Sequence, residues 1–375
     1  MKNKKRMDFH SKFYTLLPSF ITPFITVIGT FILSSLIMWI TKIDVGNAWS
    51  VMLQGSLGSI SGICTTLVKS TPLILVGLGM SVAFRSGLFN IGAEGQMYLG
   101  GLAATIIGTW QANLPSWIQL TAALIFGFIG GASWAIIPGY LKAKYQTNII
   151  ITTILMNYIG LYLVDILVYG PLRANKESTV SLPESESVIY KLPTFIPGLR
   201  LHIGFLIAIF FTIFIYILMY KTALGMEMCL IGPSPETSRT IGIPVIKRSI
   251  LAMSISGGLA GLAGAIEILA VQFRLRPMFV GNLGYTGIAV ALLGSNNPIG
   301  VFLSSLFFGI LRNGSSHMQS KVGVPLAITS VIEGITMLLL ILMIAFMSKR
   351  NGITNWIESK KAYANPTRGE NNGMA

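Results

Sequence analysis

Ten stretches of mostly apolar residues, most of them about 20 residues long, dominate this chain. They fall at residues 19–40, 66–84, 89–110, 117–138, 148–169, 202–220, 249–271, 284–296, 298–314 and 325–347. A hydrocarbon layer of about 30 Å is crossed by about 20 helical residues, so runs of this length and number describe a membrane and not a water-soluble core. The composition agrees. Of the 375 residues 53% are hydrophobic and 11% are charged, where a soluble domain carries about 25% charge. A soluble two-domain enzyme, a disordered tail protein and a disulfide scaffold are excluded. The expected fold is all-α: a polytopic membrane protein of about ten transmembrane helices, some short or broken, with both termini cytoplasmic.

The runs differ in quality. The eighth and ninth are short and are separated by Ser295-Asn296-Asn297-Pro298. They read as two short spans or as a broken re-entrant pair. The stretch around Lys69, Pro72 and Arg85 reads as irregular. Such backbone survives at membrane depth only where protein or a water-filled cavity covers it. The first run follows a basic MKNKKRMDFHSK segment, is too long for a signal h-region and has no A-x-A site after it, so an uncleaved span is expected. The expected organisation is a cytoplasmic segment at 1–18, a transmembrane domain at 19–347 and a cytoplasmic tail at 348–375. Within the domain, two long connections stand out at about 170–200 and 221–248.

Lys and Arg number 27 against 13 Asp and Glu, a net charge of +14. On a soluble protein that excess would point to nucleic acid. Here the basic residues collect in short loops instead. Lys2, Lys4, Lys5, Arg6 and Lys12 precede the first span, Lys142 and Lys144 follow the fourth, Lys247-Arg248 precede the seventh and Lys349-Arg350 follow the tenth. With ten spans all of them share one side, which the positive-inside rule assigns to the cytoplasm. The opposite side receives the 170–199 loop, rich in Pro, Ser and Glu, and the uncharged 111–116 loop. Arg274, Arg276, Arg312 and Lys321 fall on that side too and weaken the rule without reversing it.

Several chemistries are missing from the sequence. It has no GxxxxGK[ST], GxSxG, HExxH or Rossmann glycine fingerprint. Cys64 and Cys229 have no metal or redox spacing and read as small buried residues, and His10, His202 and His317 are scattered. Neither a catalytic set nor a metal site is expected, nor a cofactor of the chain's own. Gly127-xxx-Gly131 and Gly257-xxx-Gly261 each put two glycines on one helix face, which suits close helix packing. The glycine-dense segments Phe89–Gly95 and Phe279–Gly287 echo one another weakly.

Four acids lie within the expected spans: Glu94, Asp165, Glu267 and Glu333. Ionisable groups there are costly and mark functional sites by default. Asp165 and Glu333 lie nearer span ends, where water can reach them. Helical spacing would put Asn90 and Glu94 on one face, with Arg85 near enough to be a counter-charge. Structural pairing and substrate contact both remain open for Glu94. Asn90, Gln96 and Asn157 are amides able to line a polar path or to bond neighbouring helices. In the 221–248 connection, Gly232-Pro-Ser-Pro starts a short helix at about Glu236–Ile241, which Gly242 ends and Pro244 follows. A knob for a partner's groove and an ordinary connecting loop are equal readings of it.

The stretch Gly232-Pro-Ser-Pro-Glu-Thr-Ser-Arg-Thr-Ile-Gly-Ile243 resembles the coupling-helix motif of ABC importer permeases of the ribose and nucleoside type. Gly232, Pro235, Glu236, Arg239, Gly242 and Ile243 fit that pattern, whereas Ser234 replaces an Asn and Thr237-Ser238 replace two alanines. Ala83-Phe-Arg-Ser-Gly-Leu-Phe-Asn-Ile-Gly-Ala-Glu-Gly-Gln96 resembles the signature of the nucleoside-uptake branch, as do Ala291–Gly300 and Val331–Ile335. The resemblance covers about residues 19–347. It implies a multi-pass permease subunit in a bacterial plasma membrane, without an ATPase site of its own, importing nucleosides. The implied partners are a cytoplasmic ATPase that binds the ATP, a second homologous permease and an extracellular substrate-binding lipoprotein. A simple-sugar permease of the ribose type is the alternative, and a lone ion-coupled carrier is the rival mechanism.

Overall fold

The computed structural model describes residues 23–111, 114–174, 183–195, 198–325, 327–328 and 330–343. The expected cytoplasmic segment at 1–18, the tail at 348–375 and the middle of the 170–200 loop lie outside the described residues.

The described chain is all-helical. In order the helices are α1 Pro23–Ile40, α2 Val45–Leu57, α3 Ile60–Arg85, α4 Ala93–Thr109, α5 Ser116–Tyr145, α6 Ile149–Tyr169 and α7 Gly204–Lys221. Then come α8 Ala223–Ile231, α9 Pro235–Thr240, α10 Val245–Ile266, a π turn over Glu267–Gln272, α11 Leu283–Leu293, α12 Pro298–Val322 and α13 Ser330–Met343. Among the described residues, six helices are long and apolar enough to cross a membrane: α1, α3, α5, α6, α7 and α10 with its π turn. Each of the ten apolar runs coincides with a helix, but α4 has only 17 residues and α11 only 11.

Burial sorts these helices into an inner and an outer set. Of the apolar window, 83% is buried in α3 and 78% in α10, against 22% in α1 and α5 and 28% in α6 and α7. A helix apolar all round and buried is a core helix, while one whose apolar faces stay open needs lipid or a partner to cover them. Thus α3 and α10 form the axis. The two GxxxG pairs meet there: a Cβ on Gly131 would lie 2.2 Å from the Gly257 carbonyl oxygen, and one on Gly261 would lie 2.4 Å from that of Gly127. Only hydrogen at these positions lets α5 and α10 touch backbone to backbone.

Three expectations change. The stretch around Lys69 and Pro72 is not irregular, since α3 runs unbroken from Ile60 to Arg85 with Pro72 inside it. Proline removes the helical donor that would bond the Val68 carbonyl, and Val68 and Pro72 both line a cavity. The pair around Ser295–Pro298 is uneven: α11 is a half-length helix, but α12 has 25 residues and continues to Val322. Arg312 is therefore no loop charge, being ten residues inside the end of α12. The sequence reading also missed α2 and α8, which are too short and too mixed in polarity to register as apolar runs.

Candidate functional site

The segment between α3 and α4 is a break in the bundle. Gly87 turns the chain with φ +73°, and residues 88–91 then pass through the interior without helical bonds. Irregular backbone in such a place needs side-chain partners. Asn90 Oδ1 accepts the Gly92 amide at 2.9 Å, and Asn90 Nδ2 donates to Gln96 Oε1 at 3.0 Å and to the Ser256 hydroxyl of α10 at 2.9 Å. Asn157 of α6 closes the other side. Its Oδ1 accepts the Gly95 amide at 2.8 Å, and its Nδ2 donates to the Ile91 carbonyl at 2.9 Å and to the Tyr285 hydroxyl at 3.2 Å. All three amides are buried. Asn90 precedes α4, so it does not share a helical face with Glu94.

Glu94 sits in the first turn of α4. Its carboxylate accepts the backbone amides of Asn282 at 3.1 Å and Gly284 at 2.9 Å, at the start of α11. Free amides and the positive end of the helix dipole make a helix N-terminus a site for an anion. Arg85 is not its ion-pair partner; that guanidinium lies over the Tyr220 ring, 4.5 Å from its centroid. The two glycine-dense segments therefore do the same thing: each breaks the chain ahead of a short helix, and the two breaks are bonded through Glu94.

Beyond this cluster, α3, the π turn, residues 279–283, α12 and α13 line a partly open cavity of about 430 Å³. Lys69, Glu267, Arg312 and Glu333 line it. Arg312 Nε donates to Glu333 Oε1 at 2.9 Å, and its Nη2 donates to the Thr286 hydroxyl at 3.0 Å. Thr286 in turn donates to Glu333 Oε2 at 2.9 Å. Lys69 Nζ donates to the Arg312 carbonyl at 3.2 Å and to Ser316 at 2.8 Å. Glu267 opens the π turn and accepts from Gln272 at 3.2 Å. Of the four acids picked out in the sequence, three converge on this region. Asp165 stands apart on α6, its Oδ1 buried without a hydrogen bond. Sequence reasoning picked out Glu267 and Glu333 singly but missed the cavity, because Lys69 on α3 lies about 200 or more positions from the other three charges that line it.

At one end of the bundle, α8 and α9 form a short elbow. Ser234 caps α9 by accepting the Thr237 amide at 3.3 Å, and Pro235 fills the first helical position, where its missing N–H costs nothing. Gly242 ends the turn with φ +85°, and the Ile243 amide donates to the Ser238 carbonyl at 3.0 Å. Glu236 and Arg239 are exposed, whereas Ser238 is buried and donates to the Leu230 carbonyl. Gly232 rests on the α3–α4 turn: a Cβ on Gly87 would lie 2.8 Å from Gly232 Cα. The elbow thus abuts the segment that leads to the buried amides.

Residues 183–195 form a strap along the π turn and the chain that follows it. The Ser185, Val188 and Leu192 amides donate to the carbonyls of Leu275, Phe273 and Leu269 at 3.0, 2.9 and 3.0 Å. Glu184 bonds both Arg274 and Arg276, the latter at 2.8 Å. Arg274 and Arg276 thus share one carboxylate, which offsets one of their two positive charges. Burial pushes the Glu184 carboxyl up, but hydrogen bonds and charge from Arg276 and Arg274 outweigh it and hold the group below its ordinary value. Among the described residues there is no group of His, Cys, Asp and Glu that could hold a metal ion. Cys64 and Cys229 are free, the first buried and the second half-buried.

Short helices that start inside a bundle, bonded breaks and a charged interior cavity together define a polytopic membrane protein of the transporter class. The family described as branched-chain amino acid transport system / permease component matches residues 62–342, and the chain belongs to it. A guanosine ABC transporter permease protein of Bacillus subtilis is 35% identical over 85% of this chain and 92% of its own length. A glucose ABC transporter permease protein of Haloferax volcanii is 33% identical over 93% and 94% respectively. A nucleoside ABC transporter permease protein of Lactococcus lactis is 31% identical over 83% and 88%. No solved structure matches the chain. The protein is a multi-pass membrane protein and a transport component.

Proposed function

We propose that this chain is the transmembrane permease subunit of an ABC importer that carries nucleosides inward. The names borne by the Bacillus and Lactococcus relatives support the substrate class. The observation that carries the mechanism is the contact of Gly232 with Gly87. It gives an exposed elbow a direct mechanical line to the 88–92 break and the helices bonded to it. In this reading a cytoplasmic ATPase, which alone binds ATP, grips α9 through Glu236 and Arg239. Its two states favour two settings of the elbow, and the difference in contact energy drives the change.

The finer topology belongs to the same proposal: about ten crossings within 19–347, both ends cytoplasmic, a coupling loop at 221–248 and an external loop at 170–200 that receives a substrate-binding lipoprotein. A second, homologous permease covers the open faces of the outer helices and completes the pathway. Arg85, Asn90, Glu94, Gln96 and Asn157 frame that pathway by fixing the break. The glucose relative supports the simple-sugar alternative, in which the sugar rather than the base is recognised.

The test is ATP-dependent uptake of labelled guanosine or uridine by the complete transporter in proteoliposomes. Uptake should stop without ATP and be competed by unlabelled nucleoside but not by ribose or glucose. Competition by free sugar alone favours the alternative, and uptake driven by a proton gradient without ATP would refute coupling through α9.

A further inference from the structure

The cavity beside the π turn carries two cations, Lys69 and Arg312, and two anions, Glu267 and Glu333. Its formal charge is therefore zero. Arg312 and Glu333 pair through the guanidinium Nε and Nη2, with Thr286 closing the group. Lys69 and Glu267 are not paired in this way. Lys69 spends two of three ammonium hydrogens on the Arg312 carbonyl and Ser316, leaving one. Glu267 accepts one hydrogen bond on Oε1, and its Oε2 has no partner among the described residues. The cavity thus offers one free carboxylate oxygen, one free ammonium hydrogen and the two Nη1 hydrogens of Arg312, which make no hydrogen bond among the described residues.

That inventory selects a ligand chemistry. A net-charged solute would upset a balanced set of charges in a low-dielectric interior. A neutral solute with hydroxyls completes it, because a carboxylate only accepts and a hydroxyl donates. The volume of about 430 Å³ lies within the range of small-molecule sites, about 300–1,000 Å³. The π turn supplies the placement, since Glu267 is its first residue, and such turns interrupt α-helices at functional sites. We propose that Glu267 reads the ribose hydroxyls of the substrate in this cavity, with Lys69 as a donor lining the same cavity. The assignment rests on the nucleoside reading above.

The test measures equilibrium binding of labelled guanosine, and of labelled 2′,3′-dideoxyguanosine, to the purified permease–ATPase complex without the binding protein. The wild type should prefer guanosine by at least about tenfold, as a site built around a hydroxyl rejects the analogue lacking it. E267Q should lose guanosine affinity and leave that for the dideoxy compound unchanged, so the preference collapses. If E267Q does not assemble, E267D keeps the charge, withdraws it by one methylene and must show the same selective loss. An unchanged preference in the variant that assembles overturns the assignment, as does a wild type that binds both compounds equally. Failure of the complete importer to take up guanosine at all would instead sink the nucleoside reading, so the two failures are distinct.

Discussion

The carboxylate of Glu94 accepts the amide of Gly284 at 2.9 Å across 190 residues of chain. With the Asn282 amide beside it, this bond fastens the start of α4 to the start of α11. Each helix end would otherwise present unsatisfied groups inside the bundle. Replacing Glu94 with Gln keeps the shape but removes the charge that the two amides and the helix dipole favour. A loss of about 1–3 kcal/mol is expected, and Glu94→Ala should cost more because it orphans both amides. Thermal unfolding of the detergent-solubilised protein checks the order Ala worse than Gln; equal stability of all three would exclude the role.

Asn157 should behave as a structural buckle. Asn157→Leu leaves the Gly95 amide and the Ile91 carbonyl without their partner, at about 1–3 kcal/mol for each buried orphan. Thermal unfolding again reads the effect, and a fall in melting temperature comparable to that of Glu94→Ala is expected.

The α5–α10 contact should tolerate no side chain. Gly131→Ala places a methyl 2.2 Å from the Gly257 carbonyl oxygen and 2.6 Å from Gly261 Cα, both backbone atoms. Overpacking of this kind costs about 1–3 kcal/mol or more, and Gly131→Leu should abolish stable expression. Gly334, whose added Cβ would meet nothing within 4 Å, has no such packing contact. Size-exclusion profiles of a GFP fusion would reveal the difference; normal expression of Gly131→Leu would contradict the packing.

Glu236 and Arg239 are exposed on α9, and among the described residues their side chains make no hydrogen bond or ion pair that holds the elbow together. Replacing both with Ala should leave the permease folded yet weaken copurification of the ATPase by about tenfold, or roughly 1.4 kcal/mol. Retained ATPase with lost transport would move the role from grip to motion, and no change in either would remove α9 from the interface.

The Glu184 pair should make the 183–195 strap acid-sensitive. Because the folded-state pKa lies below the ordinary value of 4.5, the stabilisation is fully present above 4.5 and is lost as pH falls through the lower, folded value. Hydrogen exchange of the Ser185, Val188 and Leu192 amides should therefore accelerate below about pH 4.5, beyond the change in intrinsic rate. In Glu184→Gln it should already be fast at neutral pH and show no such acid step.

The bundle was legible in the sequence because membrane helices announce themselves by length and apolarity. Residues 148–169 needed no partner to be read as α6. Helix α9 was also legible, since Ser234, Pro235 and Gly242 are local signals that cap, start and stop a turn. The site was legible only as a list. Glu94, Glu267 and Glu333 stood out by cost, but the partners of Glu94 are backbone amides, which carry no sequence identity. The Lys69 contact with Arg312 spans 243 residues, and no local pattern records such a distance. Helix α2 escaped because its 13 residues alternate exposed and buried faces and show no continuous apolar run.

The π turn at Glu267–Gln272 has one further consequence. Each of its hydrogen bonds encloses one residue more than an α-helical bond would, so this stretch of chain is longer than the distance it covers. The surplus is slack, stored at the point where α10 meets both the 183–195 strap and the cavity. Drawing it in would turn the Glu267 side chain about the helix axis and shift residues 273–282 along it, while the α5–α10 glycine contact below stayed locked. A bundle fastened by carbonyl-to-glycine contacts can in this way keep one adjustable link without loosening its frame.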